Sequence, residues 1–184
     1  MSSSSASVPS HEEFLRELGR DLVGAAYLQG DFLLSSGQRS SYYFDKYLFE
    51  TRPAILRRLA QVLAEMVPAG TDRLAGPELG AVALATAVSL ETGLPFVIVK
   101  KETKDYATGH LIEGELTTGD RVVLIEDILT TGHQAIGAAR KLVEAGANVP
   151  LIIGVVDRLE GAEANATAAG FPLQAVFTRA DLGV

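Results

Sequence analysis

A short apolar run that ends in two acids limits the possible folds of this chain more than any other stretch. Residues 122–125 read VVLI, too short for a buried helix and without polar alternation, which predicts a β-strand covered on both faces, as in a parallel sheet. Glu126 and Asp127 follow at the expected end of this strand. The small loop of residues 130–132 then leads into helical apolar spacing over residues 133–143. Together these pieces predict one strand-loop-helix unit of an α/β protein.

This order of elements suits a phosphorylated sugar. Backbone N–H groups of a tight Thr/Gly loop and the positive end of a helix bind a phosphate without a basic side chain. The two carboxylates would accept hydrogen bonds from sugar hydroxyls or lie near a hard cation such as Mg²⁺. The simpler alternative is that Thr130 or Thr131 only caps the helix and that the two acids lie at the end of the strand without binding a ligand.

Composition narrows the class of protein. The chain has 184 residues, enough for one domain with one core, and no Cys, which excludes disulfides, thiolate catalysis and Cys-ligated zinc. A formal net charge of -7 argues against general binding to nucleic acid or to a membrane surface. The start, MSSSSASVPS, lacks the regions of a signal peptide, and no apolar run approaches the ~20 residues that span a bilayer. We therefore expect a cytoplasmic protein with a disordered tail over residues 1–10.

The remaining segments alternate between helical and extended patterns. An amphipathic helix is predicted over residues 11–28, with Ser10 as a possible N-cap, and an aromatic β-hairpin over residues 32–49. Further helices are predicted from Pro53 to about Met66 and over residues 81–91 and 162–169, and further strands over residues 73–75, 96–99, 151–156 and 173–178. This alternation predicts an open, mainly parallel α/β sheet with helices on both faces. The predicted divisions are a single domain over 11–184, with a small N-terminal hood at about 11–50 and a core at about 51–184.

The segment IEDILTTG, residues 125–132, is similar to the phosphoribosyl pyrophosphate (PRPP) signature of type I phosphoribosyltransferases. The match consists of a hydrophobic strand, two acids, two apolar positions and a Thr-Thr-Gly loop. The resemblance implies the type I phosphoribosyltransferase fold, in which the loop binds the 5-phosphate of PRPP and the acids hold the ribose 2- and 3-hydroxyls. The implied PRPP-binding residues of this segment are Glu126, Asp127, Ile128, Leu129, Thr130, Thr131, Gly132, His133 and Gln134.

The aromatic hairpin resembles the hood of orotate phosphoribosyltransferases. The shared pattern is F-x-L-x-S-G-x-x-S-x-x-Y and begins at Phe32. It implies that Tyr43 and Phe44 border the orotate ring, together with Thr130 of the signature loop. Ser35 stands where many members of this family have a Lys. The alternative is that these aromatic side chains are simply core residues.

The segment GPELG, residues 76–80, resembles the pyrophosphate loop of the same family. It would bind through the backbone N–H groups of Leu79 and Gly80, and some members carry a Lys at the position of Gly80. The segment matches neither G-x-G-x-x-G nor G-x-x-x-x-G-K-[ST], so neither a dinucleotide fold nor a P-loop is supported. The alternative is a structural turn.

The segment KKETKDYATGHLIEGEL, residues 100–116, is similar to the mobile catalytic loop of orotate phosphoribosyltransferases. The residues implied to contact PRPP are Lys100, Lys101, Lys104 and Tyr106. Several of them would reach the neighbouring subunit of a homodimer that shares residues 100–109. The implied catalytic residues are Lys101, Lys104 and Asp127. Lys100 stands where Arg is usual and Ala107 where Gly is usual, and the alternative for the whole segment is a solvated run of charge.

The segment VVDRLEG, residues 155–161, resembles the family motif D-R-x-x-G, in which the Arg binds the orotate carboxylate. That role would fall on Arg158, for which a surface ion pair is the alternative. The resemblance implies the conversion of orotate and PRPP to orotidine 5-monophosphate and pyrophosphate in pyrimidine biosynthesis. It also implies Mg²⁺ held mainly through PRPP and water, with no direct protein ligand. Two rivals are a purine-base phosphoribosyltransferase, which has no use for Arg158, and a non-catalytic regulator that binds PRPP.

Overall fold

The computed structural model of this chain describes residues 10–33, 39–101 and 110–184. The helices are α1 (His11–Ala26), α2 (Lys46–Glu50), α3 (Pro53–Met66), α4 (Gly80–Thr92), α5 (His133–Glu144), α6 (Ala162–Ala168) and α7 (Arg179–Leu182). The strands are β1 (Tyr27–Leu33), β2 (Arg39–Phe44), β3 (Arg73–Pro77), β4 (Phe96–Val99), β5 (Ile112–Glu113), β6 (Arg121–Leu129), β7 (Asn148–Asp157) and β8 (Leu173–Thr178). Across these three ranges, no helix has both the length and the apolar character needed to cross a membrane.

Six strands form the central sheet, in the order β5–β4–β3–β6–β7–β8. Five adjacent strands run parallel to one another, namely β4, β3, β6, β7 and β8. Strand β5 pairs with β4 as an antiparallel edge strand. Strands β1 and β2 form a separate antiparallel pair near the N-terminus. The predicted open, mainly parallel sheet with a small N-terminal addition is therefore confirmed.

The two faces of the sheet carry separate hydrophobic clusters, and β6 shows how the sequence divides between them. Val123 and Ile125 pack in a cluster with residues of α1, α3 and α4. Val122 and Leu124 pack in a second cluster with residues of α5 and α6. Because side chains alternate along a strand, Asp127 belongs to the face of Val123 and Ile125. The strand therefore aims this acid at the layer that contains α2 and α4.

The N-terminal region differs from the predicted hairpin at both ends. Helix α1 starts after Ser10, whose side chain caps it as predicted, but it ends at Ala26, so the first strand begins earlier than expected. Residues predicted to continue the second strand form α2 instead. The side chain of Asp45 accepts a hydrogen bond from the backbone N–H of Tyr47 at 3.1 Å, which caps a helix at this point. Lys46 and Glu50, four positions apart, consequently share one helical face.

Strand β6 is longer than the apolar run predicts. It pairs with β7 as far as Leu129, so Glu126 and Asp127 lie inside the strand and are buried. The expectation that these acids stand beyond the end of the sheet is wrong, because hydrogen bonding to β7 continues past the apolar residues. Two carboxyl groups within a sheet are removed from water, which favours their neutral forms unless a cation lies nearby.

Candidate active site

The loop between β6 and α5 ends in a helix N-terminus that is open to a ligand. Gly132 is the N-cap of α5, with a φ of 75° in the left-handed region and no side-chain hydrogen bond to the helix. The alternative in which Thr130 or Thr131 caps the helix is therefore wrong. The first N–H groups of α5 have no partner within the helix, so they can receive the oxygens of a phosphate. Asn165 of α6 donates a hydrogen bond to the carbonyl oxygen of Thr131 at 2.9 Å and holds the loop in place.

The acid pair occupies two different environments. Asp127 accepts a hydrogen bond from Lys46 Nζ at 2.6 Å on Oδ2 and one from the backbone N–H of Ile128 at 2.6 Å on Oδ1. Glu126 accepts a hydrogen bond from the backbone N–H of Asp127 at 3.1 Å, and its Oε2 has no hydrogen-bond partner among the described residues. Burial, and then the neighbouring charge of Asp127, raise the pKa of Glu126 to about 8. Lys46 therefore pairs with Asp127, while burial favours the protonated form of Glu126 near neutral pH.

A third acid belongs to the same cluster. Glu50 of α2 is only 3% exposed, and its Oε1 has no hydrogen-bond partner in the described part of the chain. Burial, and then the charge of Asp127, raise the pKa of Glu50 to about 8. For Lys46, burial acts to lower the pKa, but attraction to Asp127, Glu126 and Glu50 outweighs it, so the pKa is raised. The cluster therefore holds the ion pair of Lys46 and Asp127 and two further acids whose pKa values are raised.

These raised pKa values predict how stability depends on pH. The folded chain keeps the proton of Glu50 up to a pH of about 8, whereas the unfolded chain loses it near the ordinary glutamate pKa of 4.5. The folded state thus binds more protons in this range, so the free energy of unfolding decreases as pH rises through it. Glu50→Gln keeps the shape of the side chain and removes this titration. We expect the thermal midpoint of the variant to fall less than that of the wild type between pH values of about 5.5 and 8.5, measured by circular dichroism.

The matched control for this prediction is Glu17→Gln, which changes an exposed glutamate of α1. It should follow the wild-type pH dependence. Parallel curves for Glu50→Gln and the wild type would show that Glu50 is charged in the folded protein, contrary to the raised pKa.

The loop between β3 and α4 approaches this cluster through its backbone. A Cβ on Gly80 would collide with Asp127 Oδ2, and it would lie 2.9 Å from Glu50 Oε1 and 3.0 Å from Lys46 Nζ. No side chain fits at this position, so glycine is required for the loop to reach the acids. Leu79 is the N-cap of α4 without a side-chain hydrogen bond, which leaves N–H groups of the first helical turn for a ligand.

The start of the lysine-rich segment, Lys100 and Lys101, is held between the β3–α4 loop and helix α5. Lys141 of α5 donates hydrogen bonds to the carbonyl oxygens of Lys100 at 2.8 Å and Lys101 at 2.7 Å. The backbone N–H of Lys101 donates to Glu78 of the β3–α4 loop at 2.6 Å. Lys100 itself forms an ion pair of 2.6 Å with Glu113. A cavity of about 350 Å³ between these parts is lined by residues that include Lys100, Lys101, His133, Gln134 and Lys141.

Several predicted residues cannot be compared with the structure. Ser35, Lys104, Tyr106 and Ala107 lie outside the described residues, as do the first nine residues of the predicted tail.

Arg158 lies at the opposite end of the site, after the last residue of β7. Its backbone N–H donates to the carbonyl oxygen of Leu129 at 2.8 Å, which fixes it beside β6. Its guanidinium forms an ion pair with Glu160 at 2.9 Å and lies 3.4 Å from the hydroxyl oxygen of Tyr42. Phe44 and Arg158 line the same narrow cavity of about 10 Å³. A flat ring would enter here only after the surrounding side chains move apart.

The alternation of β2 separates the two predicted aromatic residues. Tyr42 and Phe44 lie on the side of Arg158, with the Tyr42 ring centroid 6.0 Å from the guanidinium carbon. Tyr43 is 42% exposed and contacts Phe32, with ring centroids 5.6 Å apart. The structure therefore brings Phe44 to Arg158 but does not bring Tyr43 there.

Three residues of this site escaped the sequence patterns. Lys46 and Glu50 lie outside every motif, and their contact with Asp127 spans about 80 positions of the chain, 81 in the case of Lys46. Tyr42 was adjacent to the predicted position, and only the alternation of β2 distinguishes it from Tyr43. The available signal for Lys46 was a lone basic residue in an aromatic segment, which does not by itself indicate a partner.

The chain is similar to known phosphoribosyltransferases in both sequence and structure. The family model of the phosphoribosyl transferase domain matches residues 49–168. The orotate phosphoribosyltransferase of Natronomonas pharaonis is 49% identical over 153 residues, which cover 83% of this chain and 87% of that protein. The orotate phosphoribosyltransferase of Thermococcus gammatolerans is 45% identical over 170 residues, 91% of this chain and 90% of that protein. A crystal structure of the Mycobacterium tuberculosis H37Rv orotate phosphoribosyltransferase in complex with PRPP matches with a TM-score of 0.80 at 29% identity, over 93% of this chain and 99% of that chain.

Proposed function

We infer that this chain, which belongs to the phosphoribosyltransferase family, is an orotate phosphoribosyltransferase. It transfers the phosphoribosyl group of PRPP to orotate and releases orotidine 5-monophosphate and pyrophosphate, a step of pyrimidine biosynthesis. The observation that carries this conclusion is the identity of nearly half of the aligned residues, over most of both chains, to enzymes of that name. The purine-base enzyme and the non-catalytic regulator lose their support, because relatives that match over most of this chain are orotate phosphoribosyltransferases.

We propose that PRPP lies along the carboxyl edge of the sheet. Its 5-phosphate would bind N–H groups in the loop that precedes α5 and at the start of that helix. Its sugar hydroxyls would donate to Asp127, the acid that pairs with Lys46 in the free chain. Its pyrophosphate would bind the N–H groups at the start of α4, beside the lysines at the root of residues 100–109. The individual roles of Ile128, Leu129 and Gln134 stay predictions.

The chemistry breaks the bond between the sugar C1 and a pyrophosphate oxygen and forms a bond from C1 to a nitrogen of orotate. The proton of that nitrogen is released to the departing pyrophosphate or to water. Negative charge collects on the departing pyrophosphate, so the protein contributes by holding positive charge there. Lys101, with Lys104 as predicted from the resemblance, fits this task, since preorganised charge in a dry site contributes several kcal/mol. Asp127 would orient the sugar and place negative charge below a C1 that becomes electron-poor.

Orotate is proposed to bind between the hood and the end of β7. Its carboxylate would replace Glu160 as the partner of the Arg158 guanidinium, and its ring would lie against Phe44 and Tyr42. Glu160 is 41% exposed, so it can return to water when the exchange occurs.

Mg²⁺ is proposed to reach the site with PRPP. Within the described residues, no group of three or more His, Asp or Glu side chains is arranged to hold a metal ion. Asp127 is already paired with Lys46, and Glu126 and Glu50 keep their protons near neutral pH. Phosphate oxygens and water suit Mg²⁺ better than such a cluster does, and when bound the ion would neutralise part of the pyrophosphate charge.

A spectrophotometric assay tests the proposed function directly. The purified protein should consume orotate on addition of PRPP and Mg²⁺, with stoichiometric release of pyrophosphate. Adenine, hypoxanthine and xanthine serve as alternative acceptors. Consumption of a purine base in place of orotate would contradict the proposal.

The homodimer and the sharing of residues 100–109 between subunits are also proposals. If each site takes this segment from the other chain, a chain with Lys104→Ala inactivates the site of its partner subunit. The sugar pocket of the Lys104→Ala chain itself stays intact. Asp127→Asn has the opposite defect. Mixing the two inactive homodimers with exchange of subunits should therefore restore orotate consumption, because each mixed dimer holds one site with two good halves.

The size of this recovery can be stated. If subunits exchange freely, half of the dimers are mixed and each has one intact site of two, so activity should reach about a quarter of the wild-type value. Native mass spectrometry verifies the mixed dimers. Verified mixed dimers without activity would show that the segment acts within its own chain.

A further inference from the structure

The ammonium group of Lys46 covers the carboxylate that should bind the sugar. Its Nζ lies 2.6 Å from Asp127 Oδ2, while Oδ1 of the same carboxylate accepts from the backbone N–H of Ile128. The side chain of Asp127 is only 5% exposed, whereas that of Lys46 is 30% exposed. Sugar hydroxyls can therefore reach Asp127 only if Lys46 moves away, and its exposure leaves it free to do so.

The space beside Lys46 adjoins the N-terminus of α4, where the pyrophosphate group of PRPP is proposed to bind. A Cβ on Gly80, at the start of α4, would lie 3.0 Å from Lys46 Nζ. Glu50 Oε1, which has no partner among the described residues, borders the same space. An anion at the N-terminus of α4 would thus lie within reach of Lys46 after a small change of rotamer.

We propose that Lys46 is a further PRPP-binding residue that exchanges partners, pairing with Asp127 in the free enzyme and with the pyrophosphate group of PRPP in the complex. This inference rests on the proposed function. The exchange keeps every charge paired: the sugar hydroxyls replace the ammonium group on Asp127, and the phosphate oxygens replace Asp127 on the ammonium group. Burial raises the pKa of Glu50 and of Glu126, which favours their protonated forms near neutral pH and weakens their attraction for Lys46.

The exchange makes opposite predictions for the two halves of PRPP. Pyrophosphate alone should gain from Lys46, because it receives the ammonium group. Ribose 5-phosphate alone should gain nothing, because Lys46 occupies the carboxylate that its hydroxyls need. A lysine that merely held Asp127 in place would help ribose 5-phosphate instead.

The test compares inhibition of the wild type and Lys46→Met by inorganic pyrophosphate and by ribose 5-phosphate, each in competition with PRPP. Met keeps the length of the side chain and removes its charge. We expect the inhibition constant of pyrophosphate to rise about tenfold or more in Lys46→Met, and that of ribose 5-phosphate to stay constant or decrease. Lys46→Arg keeps the charge and should retain most of the pyrophosphate affinity. Arg57→Met, at an exposed position of α3, is the matched control and should leave both constants unchanged.

Each other outcome overturns the inference. If both constants rise together in Lys46→Met, Lys46 holds Asp127 in place and does not exchange. If the pyrophosphate constant is unchanged, Lys46 does not contact that group in the complex. Circular dichroism shows whether each variant is folded, and Lys46→Gln, which keeps a neutral donor, takes the place of Lys46→Met if that variant is unfolded. A failure of the proposed function is distinguishable, since the wild type itself would then transfer no phosphoribosyl group.

Discussion

Asp127→Asn should lower kcat/KM for PRPP by about 100-fold or more, which corresponds to ~2.7 kcal/mol. The physical reason is the loss of the charged acceptor for the sugar hydroxyls, since a hydrogen bond to a charged group contributes about 1.5–3 kcal/mol. Steady-state kinetics with PRPP varied at saturating orotate measure the effect. The KM of orotate should change little, because Arg158 and the hood are untouched.

The fold should survive this substitution. Asn has nearly the same volume as Asp, and its side-chain oxygen can still accept the hydrogen bond of 2.6 Å from the backbone N–H of Ile128. Lys46 loses its carboxylate partner, but Glu50 lies in the same cluster and can give up its proton to restore the charge balance. Circular dichroism and thermal unfolding check that the variant is folded.

The matched control is Asp21→Asn, which removes the partner of Arg58 at a position of α1 whose side chain is 56% exposed. Exposed ion pairs contribute little, so this variant should keep wild-type kinetics. A folded Asp127→Asn enzyme with wild-type affinity for PRPP would remove Asp127 from the proposed site.

Arg158→Ala should raise the KM of orotate by about 10- to 150-fold, the equivalent of a charge-assisted bond of about 1.5–3 kcal/mol. The KM of PRPP should remain close to the wild-type value. The guanidinium side chain is 27% exposed and its partner Glu160 is 41% exposed. The substitution therefore leaves the Glu160 carboxylate accessible to water and creates no unpaired charge in the core. We therefore expect a stable variant with a selective defect in binding the base.

Uracil provides a further test of this prediction, because it is orotate without the carboxylate that Arg158 is proposed to bind. Uracil turnover, however slow in the wild type, should be unaffected by Arg158→Ala, so the preference for orotate over uracil should shrink by the factor lost with orotate. Arg57→Ala, at an exposed position of α3, is the control. An equal rise of the KM values of orotate and PRPP would indicate that Arg158 supports the loop after β7 and does not select the base.

Lys46 and Arg158 have a common feature in the free chain, since each cation is held by an acid of the protein. Asp127 holds Lys46 and Glu160 holds Arg158. A cation paired in this way stays in position without a substrate and is released only to a ligand that offers an equivalent anion. Pyrophosphate and the orotate carboxylate are such anions, so under the proposed roles both positions would select for charge as well as shape.

Local features of the sequence were sufficient for the sheet and for the loop between β6 and α5. The apolar run of residues 122–125 predicted a buried strand, and the alternation of strands and helices predicted a mainly parallel sheet, which β3, β4, β6, β7 and β8 form. A phosphate loop is one continuous segment, so its residues are together in the chain before they are together in space. The homodimer, the cytoplasmic location, the domain divisions and the roles of residues 102–109 stay predictions.

Only the tertiary structure decided which charges surround Asp127. Lys46 lies 81 positions away in the chain, and α2, which carries Lys46 and Glu50, occupies a segment whose aromatic composition favours a strand. Likewise, the register of β1 with β2 puts Tyr42 opposite Gln29 and Tyr43 opposite Leu28, and it decides which ring faces Arg158. A spacing pattern records neighbours along one element, whereas pKa values and ion pairs depend on which elements pack together and on how much water they exclude. The motifs therefore predicted a PRPP site that stays a prediction, and the packing of α2 against β6 and α4 determined which charges surround Asp127.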